Sequence, residues 1–473
     1  MSLKAEDVRL EGIAARTAFL INGSAYFSRL AHILRHARKR VWIIGWDFNP
    51  DICLQPENSK ETLGDLLHAL ADANPDLEIR ILIWALGPLY SEKSLKVLRK
   101  KSFPKNNRID LRFAIQPAIR GCHHQKLVCV DDSVAFIGGI DLMSRRWDTC
   151  GHGVRDKLKC DSQGVFYEPL HDLQAMVTGD AARLIASVAR RRWMDATGEE
   201  YRALPAQAAV GWPDDLMASL ENVPVRLATT EPATFFRRGL RQGIAVTKEV
   251  IAKARRHLYI ETQYLASFNV AEAIAARLQE GSGPEVVIVC TRKSHGLIEN
   301  FVMGRNRDRI IRRLTNADRH GRLRVFYPVV PDGEKQVELL VHSKLLIADD
   351  DVLRIGSSNL NHRSEGLDTE CDILFQALKP THRLAIDELR NTLVAEYLGC
   401  AAGAVRNVFQ RTGSLIEAIT ELNVGPRCLK PFATTCEKTT PIAGTALFDP
   451  VHPLGRLGSY HLVGHLRRIL RSS

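Results

Sequence analysis

The sequence predicts an α/β protein built from two similar halves, each a mixed β-sheet flanked by helices, packed about a pseudo-twofold axis with one shared active site. Three observations support this prediction. The chain has 473 residues, which is too long for one simple core. The pattern His-x-Lys-x4-Asp occurs twice, 218 residues apart. In both halves the segments follow the order strand, helix, strand and motif strand, which indicates an internal duplication that brings the two motifs face to face.

The repeat in each half begins with a basic helix end followed by a buried strand. Residues 37–48 align with residues 254–265 at an offset of 217, almost that of the motifs. A helical stretch and a second β-prone run follow in each half, the latter at residues 77–83 and 285–290. The chain is therefore predicted to divide into residues 1–200, residues 201–400 and a C-terminal extension of residues 401–473, which contains helical stretches at residues 414–422 and at its basic end.

Each motif copy combines a histidine, a lysine and an aspartate at the same spacing. The two sets are His124, Lys126 and Asp131, and His342, Lys344 and Asp349. Each set is followed at the same distance by a glycine pair or a glycine–serine pair. A short polar residue stands 17 positions after each histidine, Asp141 in the first copy and Asn359 in the second. Two matches in register, each with the same downstream turn, are not expected by chance.

Both motifs run into short apolar segments, residues 127–130 and 345–348, that are typical of buried strands. Residues two apart in a strand share a face, so the histidine and lysine of each motif are expected to point to the same side. The neighbouring His123 then points to the opposite side from His124. The motif aspartates fall where each strand ends and a turn begins. This position favours a role as a strand-end brace, although the aspartates belong to the candidate catalytic set.

The two motifs resemble the HKD motifs of the phospholipase D superfamily, in which two motifs of one chain build one active site. Further segments resemble those of eukaryotic-type phospholipases D, and the similarity extends over about residues 19–398. These segments are residues 138–148, 169–172 and 259–264. Two positions depart from the family pattern: Asp141 stands where some members have asparagine, and Leu170 replaces a tryptophan. Neither departure removes a catalytic group, but both leave the substrate contacts open.

The resemblance implies a division of labour at a phosphodiester. His124 is expected to attack phosphorus and form a covalent phosphohistidine, and His342 to act as the acid and base, although the assignment could be reversed. Lys126 and Lys344 are expected to hold the phosphate oxygens. This scheme needs no metal or other cofactor. The sequence contains no His/Asp cluster and no Cys-x-x-Cys pair that would demand one.

Four further residues are expected to orient the histidines or the phosphate. Asp141 and Asn359 are candidates because of their fixed distance from the motif histidines. In the family, an acidic residue after the second motif hydrogen-bonds an active-site imidazole. The resemblance places Glu370 at this position and Asp172 at its counterpart in the first half. Such a bond fixes the ring tautomer and favours the charged ring.

The favoured function is a phospholipase D that hydrolyses glycerophospholipids, such as phosphatidylcholine, to phosphatidic acid and the free head group, with transphosphatidylation as a side reaction. Two enzymatic alternatives stay open: a cardiolipin synthase-like phosphatidyltransferase, and a phosphodiesterase or nuclease that acts on a non-lipid substrate. A non-enzymatic basic scaffold is the third class. Because both His-x-Lys pairs are intact, the scaffold is disfavoured. Nucleases of the family are usually short, single-motif dimers, which disfavours the nuclease.

The net charge of +11 suits an anionic lipid surface or nucleic acid. The expected partner is a phospholipid membrane surface contacted peripherally by a monomer, with no obligatory nucleic acid. Three arginine clusters could make this contact. They are Arg237, Arg238 and Arg241; Arg305, Arg307, Arg309, Arg312 and Arg313; and Arg467, Arg468 and Arg471.

Neither a transmembrane helix nor a signal peptide is expected, because the sequence has no run of about 18 apolar residues, and its start has early acidic residues and no uninterrupted apolar region of the kind that a signal peptide has. The ten cysteines are scattered, and several lie in apolar strands, as is usual for a reduced protein. The expected location is therefore cytoplasmic or peripheral to a membrane. Secretion without a classical signal stays open.

Overall fold

The computed structural model describes residues 10–85, 106–116, 121–205, 210–234, 237–292, 297–433 and 449–450, with side chains omitted for residues 297–303. The strands of the first half are β1 (Leu10–Ile21), β2 (Arg40–Gly45), β3 (Glu78–Trp84), β4 (Ile109–Ala114), β5 (Leu127–Val130), β6 (Val134–Gly138), β7 (Leu170–His171) and β8 (Leu173–Gly179). The later strands are β9 (Leu220–Glu231), β10 (Leu240–Arg241), β11 (His257–Thr262), β12 (Glu285–Cys290), β13 (Leu323–Asp332), β14 (Lys335–Glu338), β15 (Leu340–Val341), β16 (Leu345–Ala348), β17 (Val352–Gly356), β18 (Glu370–Gln376) and β19 (Cys428–Pro431). The helices are α1 (Asn22–Arg35), α2 (Leu63–Ala73), α3 (Asp180–Thr197), α4 (Gln242–Lys253), α5 (Phe268–Gln279), α6 (Leu297–Ala317), α7 (Pro380–Leu398), α8 (Ala402–Thr412) and α9 (Leu415–Leu422).

The strand order is the same in the two halves. In the first half the order is β4-β3-β2-β5-β6-β8-β1, with β4, β3 and β2 parallel and the other neighbours antiparallel. In the second half the equivalent order is β13-β12-β11-β16-β17-β18-β9, with the same parallel and antiparallel pairs. Strand β1 pairs antiparallel with β9 and so joins the two sheets. The predicted internal duplication with a mixed sheet in each half is therefore confirmed.

Both faces of the central strands are buried. In β2, Trp42 and Ile44 face a core shared with β11, α3 and α7, whereas Val41 and Ile43 face α1 and α2. The corresponding outer face of the second sheet packs against α4, α5 and α6. Because side chains alternate along a strand, a strand covered on both sides reads as a continuous apolar run, which explains the composition of the motif strands. Helices α3 and α7 thus lie between the halves and hold the two sheets together.

Local signals explain the element boundaries. Helix α2 begins with a capping box, in which the Thr62 side chain accepts from the Asp65 backbone and Asp65 accepts from the Thr62 backbone. The Ser414 hydroxyl caps α9, so the helix predicted at residues 414–422 is present. The second β-prone runs are β3 and β12. The helix predicted at the basic C-terminal end lies outside the described residues. Within the described part of the chain, no helix is long and apolar enough to span a bilayer.

Candidate active site

The two motifs lie on extended lead-in segments, each paired with the other half of the molecule. Strand β5 begins one residue after Lys126, and β16 begins one residue after Lys344, so the His-x-Lys pairs precede the strands rather than lie within them. The backbone N–H of His124 donates to the carbonyl of Thr369 at 3.0 Å. The backbone N–H of His342 donates to the carbonyl of His171 at 2.8 Å. Each motif histidine is therefore positioned by a segment from the opposite half.

Each motif histidine also contacts one buried carboxylate from the opposite half. His124 Nδ1 lies 3.0 Å from Glu370 Oε2, and His342 Nδ1 lies 2.7 Å from Asp172 Oδ2. An Nδ1–H that donates to a carboxylate fixes the tautomer and leaves the Nε2 lone pair free for chemistry. The structure thus brings together the two histidines and the two acidic residues that the sequence singled out as their partners.

Both lysines are buried beside the histidines. Lys126 is 4% exposed and Lys344 is 2% exposed. Burial and the positive charges of the two lysines hold the pKa of both His124 and His342 well below its usual range. Because each histidine senses the lysine of the other motif, the two motifs form one electrostatic site. In the free site both rings are neutral near pH 7, which is the form that a nitrogen nucleophile requires.

Asp141 and Asn359 occupy equivalent places in the two halves but differ in their contacts. Asp141 Oδ2 lies 3.6 Å from Lys126 Nζ and accepts a hydrogen bond from the Trp46 backbone at 3.2 Å. Burial raises the pKa of Asp141, and the nearby lysine opposes that shift. The Asn359 side-chain oxygen is buried and has no hydrogen-bond partner among the described residues. The two residues therefore share a position in the duplicated pattern but not a set of contacts.

The motif aspartates brace the neighbouring strands. The Asp131 carboxylate accepts hydrogen bonds from the backbones of residues 38, 39 and 40 at 2.7–2.8 Å, just where β2 begins. The Asp349 carboxylate accepts three equivalent bonds from residues 255, 256 and 257 at 2.6–2.9 Å, where β11 begins. All the oxygens of these carboxylates are thus engaged by backbone. Their contacts correspond to the brace that their position in the sequence favours.

Arg146 is a cation of the site to which the sequence pattern assigned no role. Its positive charge contributes to lowering the pKa of His342 and opposes the burial that raises the pKa of Asp172. Arg146 lies in residues 138–148, the segment whose similarity to eukaryotic-type phospholipases D is evident from the sequence. That similarity was the only signal that could have identified it.

One group of described residues has the composition of a metal site. Nitrogens of His152 and His171 and an oxygen of Glu396 lie within 4.8 Å of one another. However, both nitrogens lie only 2.7–2.8 Å from Glu396 Oε1, which also accepts from Asn22 Nδ2 at 2.9 Å. Nitrogen ligands lie about 2.0–2.1 Å from zinc, so tetrahedral ligands around it are more than about 3 Å apart. The group is therefore a hydrogen-bonded network.

The arginine clusters are largely engaged within the protein. Arg237 forms an ion pair with Asp195, and Arg313 pairs with Glu272. Arg309 is buried. The cluster at residues 467–471 lies outside the described residues. Internal ion pairs thus offset part of the positive charge of the described clusters. This pairing weakens the interpretation of these arginines as free anion-binding surfaces.

The C-terminal segment contributes a contact that the sequence did not reveal. The Asp449 carboxylate lies 2.9 Å from His362 Nδ1 and accepts from the Arg363 backbone at 2.9 Å. These residues begin the short 3-10 turn Arg363–Glu365, which follows Asn359. Asp449 itself is 2% exposed. A residue 90 positions after Asn359 therefore anchors the loop that carries it.

Comparisons with known proteins place these features in a family context. A family model described as phospholipase D matches residues 33–235, and a second, described as a cardiolipin synthase, PLD-like domain, matches residues 247–387. Phospholipase D1 of Saccharomyces cerevisiae is 24% identical over 82% of this chain and 29% of its own length. Phospholipase D C of Dictyostelium discoideum is 28% identical over 46% of this chain and 14% of its own length. The chain spans less than a third of the length of these relatives.

A solved structure shares the fold. The phosphatidylserine synthase of Haemophilus influenzae Rd KW20 superposes with a TM-score of 0.56 at 14% identity, covering 88% of this chain and 97% of that protein. The similarity extends through both halves, in agreement with the duplicated architecture.

Proposed function

Because the chain belongs to the phospholipase D superfamily of phosphodiesterase-type enzymes, we propose that it cleaves glycerophospholipids, such as phosphatidylcholine, to phosphatidic acid and the free head group. One observation carries the proposal: two imidazoles, each held at Nδ1 by a buried carboxylate, share one site with two buried lysines. A nucleophile, an acid and fixed positive charge are the groups that transfer at a phosphodiester needs.

In the first step, His124 Nε2 attacks phosphorus and forms a P–N bond while the P–O bond to the head group breaks. Binding of the anionic phosphodiester favours protonation of His342, which then gives its proton to the departing alkoxide. Lys126 and Lys344 balance the charge that develops on the phosphoryl oxygens. The products of this step are a phosphatidyl-histidine and the head-group alcohol.

In the second step, neutral His342 accepts a proton from water, and the water oxygen attacks phosphorus. The P–N bond breaks, phosphatidic acid leaves, and both histidines return to their starting forms. General acid–base catalysis of this kind contributes about 10²- to 10⁴-fold. A primary alcohol can replace water in the same step, which gives transphosphatidylation.

The acceptor distinguishes the proposal from its main alternative. A phosphatidyltransferase would form the same phosphatidyl-histidine but deliver it to a lipid or amino-acid hydroxyl. The cardiolipin synthase description of the second family model and the phosphatidylserine synthase neighbour favour keeping this alternative. We propose that the protein meets its substrate as a monomer at a membrane surface without obligatory nucleic acid.

Product analysis tests the proposal. Purified protein is incubated with vesicles of mixed phospholipids in EDTA with a trace of a primary alcohol, and the lipids are analysed by mass spectrometry. We expect phosphatidic acid and phosphatidyl-alcohol, and we expect neither with the His124→Ala variant. In parallel samples, phosphatidylglycerol or serine is added as a competing acceptor.

Each outcome has a distinct meaning. Formation of cardiolipin or phosphatidylserine in preference to phosphatidic acid would replace hydrolysis by phosphatidyl transfer as the function. Absence of any lipid turnover, combined with cleavage of DNA or of another phosphodiester by the same preparation, would overturn the lipid assignment.

The charge of Lys344 gives a prediction about anion binding. Burial lowers the pKa of Lys344 to about 7, although Asp172 opposes the shift. The ammonium form is therefore fully present below that pH and is lost as the pH rises through it. We expect the affinity for dimethyl phosphate, which stays a monoanion throughout, to weaken by up to about tenfold per unit above pH 7 until the pH passes the higher pKa that Lys344 has in the complex. Calorimetry in buffers of different ionisation enthalpy should also detect proton uptake on binding above pH 7.

The Lys344→Arg variant is the matched control, because arginine keeps its charge over this range. Its affinity for dimethyl phosphate should fall less steeply between pH 7 and pH 9 than that of the parent, because only the protonation of His342 on binding then contributes to the pH dependence. Equal pH dependence in the two proteins would contradict a titrating Lys344.

A further inference from the structure

A buried network of alternating histidines and carboxylates runs from the centre of the molecule to the second motif. His171 Nδ1 lies 2.7 Å from Glu396 Oε1, and His171 Nε2 lies 3.0 Å from Glu261 Oε2. On the far side of Glu396, His152 Nε2 contacts the same oxygen at 2.8 Å. The side chains of His171, Glu261 and His152 are fully buried, and that of Glu396 is 3% exposed.

His171 is held as a cation in this network. Burial alone would lower its pKa, but the carboxylates of Glu261 and Glu396 raise it to about 10. Two charge-assisted hydrogen bonds fix both ring nitrogens, so the ring can neither rotate nor exchange partners without breaking an ion pair. Removal of one partner of a buried ion pair is strongly destabilising, because it leaves the other charge buried and unpaired. The network is therefore rigid at the position of His171.

Three contacts connect His171 with His342. The two residues are joined through backbone, since the His171 carbonyl accepts from the His342 N–H at 2.8 Å within the β7–β15 pair. The next residue in the chain, Asp172, holds His342 Nδ1 at 2.7 Å. Glu261 Oε2, which binds His171, also accepts from the Ser343 hydroxyl at 2.6 Å. His171 therefore determines the position of the residues on both sides of His342 and of its carboxylate.

At the described positions equivalent to Glu261 and His171, the site of His124 has neutral residues, which argues that the network serves the second motif specifically. By strand register, Ile44 of β2 is the counterpart of Glu261, because they pair with the equivalent residues Leu127 and Leu345. Ile44 is buried and carries no charge. The segment before His124 pairs with Thr369, whereas the segment before His342 pairs with His171. Thr369, which is neutral, is therefore the counterpart of His171. Among the described residues, the histidine–carboxylate network therefore lies beside His342 and has no counterpart at these positions beside His124.

We infer that His171, clamped between Glu261 and Glu396, is a positioning residue that holds Asp172 and His342 in register for proton transfer. This inference rests on the proposed acid and base role of His342. A histidine that exchanges protons twice per turnover must face the leaving oxygen and then water from the same position, so its ring must be aligned more strictly than local packing provides. The pairing of β7 with β15 covers only two residues, which is too short to align the His342 ring without the side-chain network.

The His171→Gln variant tests the inference. We expect kcat on phosphatidylcholine vesicles to fall about 10- to 100-fold, as for other residues that orient a functional side chain, with KM changed by less than about twofold. The effects of His171→Gln and Asp172→Asn on kcat should not be additive. Since both changes act through His342, we expect the double variant to lose no more than about threefold beyond Asp172→Asn alone.

His152→Gln is the matched control, because His152 touches the same Glu396 oxygen but does not contact the lead-in to His342. Its kcat should stay within about threefold of that of the parent, even if its thermal midpoint falls as much as that of His171→Gln. Equal losses of kcat in the two variants, or independent effects of His171→Gln and Asp172→Asn, would overturn the inference. If His171→Gln does not fold, Glu261→Gln serves in its place, because it is isosteric and removes the charge between His171 and Ser343.

Failure of the proposed function is recognised separately. It appears as absence of turnover by the unmodified protein. In that case the role of His171 is read from the Nδ1 proton of His342 in ¹⁵N-histidine-labelled protein, assigned by its loss in His342→Asn. A shift or loss of that resonance in His171→Gln but not in His152→Gln supports the positioning role, and an unchanged resonance overturns it.

Discussion

Replacing His124 with alanine is expected to reduce phosphodiester turnover by roughly four orders of magnitude or more, because loss of a nucleophile removes the covalent route altogether. His124 lies at the start of the first motif, with Nδ1 held by Glu370 at 3.0 Å and with a pKa lowered by burial and by Lys126. These features leave a neutral Nε2 as the attacking atom. The expected loss appears in kcat, since the lysines that hold the phosphate are unchanged.

The intermediate itself identifies the nucleophile. Rapid quenching in alkali, which preserves phosphohistidine, followed by peptide mass spectrometry should place a phosphatidyl adduct on the peptide that contains His124. The matched control is His123→Gln, because His123 is adjacent and buried but contacts Arg192 and Thr369 instead of the carboxylate. This control should form the adduct normally. An adduct on the peptide with His342 would reverse the two roles.

The local parts of the site were predictable from the sequence, whereas the contacts between the halves were not. The spacing of His124 and Lys126 is a short-range pattern, and its repetition at His342 and Lys344 makes chance an unlikely explanation. The Glu370–His124 contact spans 246 positions and exists only because the second half folds against the first. Similarity to a family suggested Glu370 as a partner, but no residue pattern could show which histidine it would hold.

The fold shows the same division between local and long-range information. Strands β2, β3, β11 and β12 were predicted because strands covered on both faces are apolar throughout. Strand β1 was not predicted, since its sequence LEGIAARTAFLI mixes charged and small residues with apolar ones. Its pairing with β9 on one side and β8 on the other supplies the stability that its composition does not.

The buried charged network of His171, Glu261 and Glu396 was also not predicted from the sequence, and the reason is physical. Each of these residues alone is an ordinary polar residue. His171 is 90 positions from Glu261 and 225 positions from Glu396 in the sequence. A buried carboxylate is costly unless it is paired, so the pairing could be inferred only once the structure showed that all three are buried. Comparison of the two halves would have been the useful signal, because Glu261 has no charged counterpart in β2.

Replacing His342 with alanine is expected to separate the two chemical steps. In a single turnover, release of choline from phosphatidylcholine should slow by about 10³-fold, because the choline alkoxide needs a proton as it leaves. Release of p-nitrophenol from phosphatidyl-p-nitrophenol should slow by less than about tenfold, since this stable leaving group departs without a proton. Stopped-flow detection of p-nitrophenol and a coupled choline assay measure the two rates.

The second step gives the same variant a further signature. After p-nitrophenol leaves, the phosphatidyl group stays on His124 because the base that activates water is missing. One equivalent of p-nitrophenol should therefore appear in a burst, followed by a rate lower by at least about 10²-fold, and the adduct should accumulate on the peptide that contains His124. The Asp172→Asn variant, which keeps His342 but removes the carboxylate at its Nδ1, should give a smaller defect in both steps. Equal slowing of the two leaving groups without an adduct would make His342 the nucleophile, and the network built around His171 would then position the attacking atom instead of the proton donor.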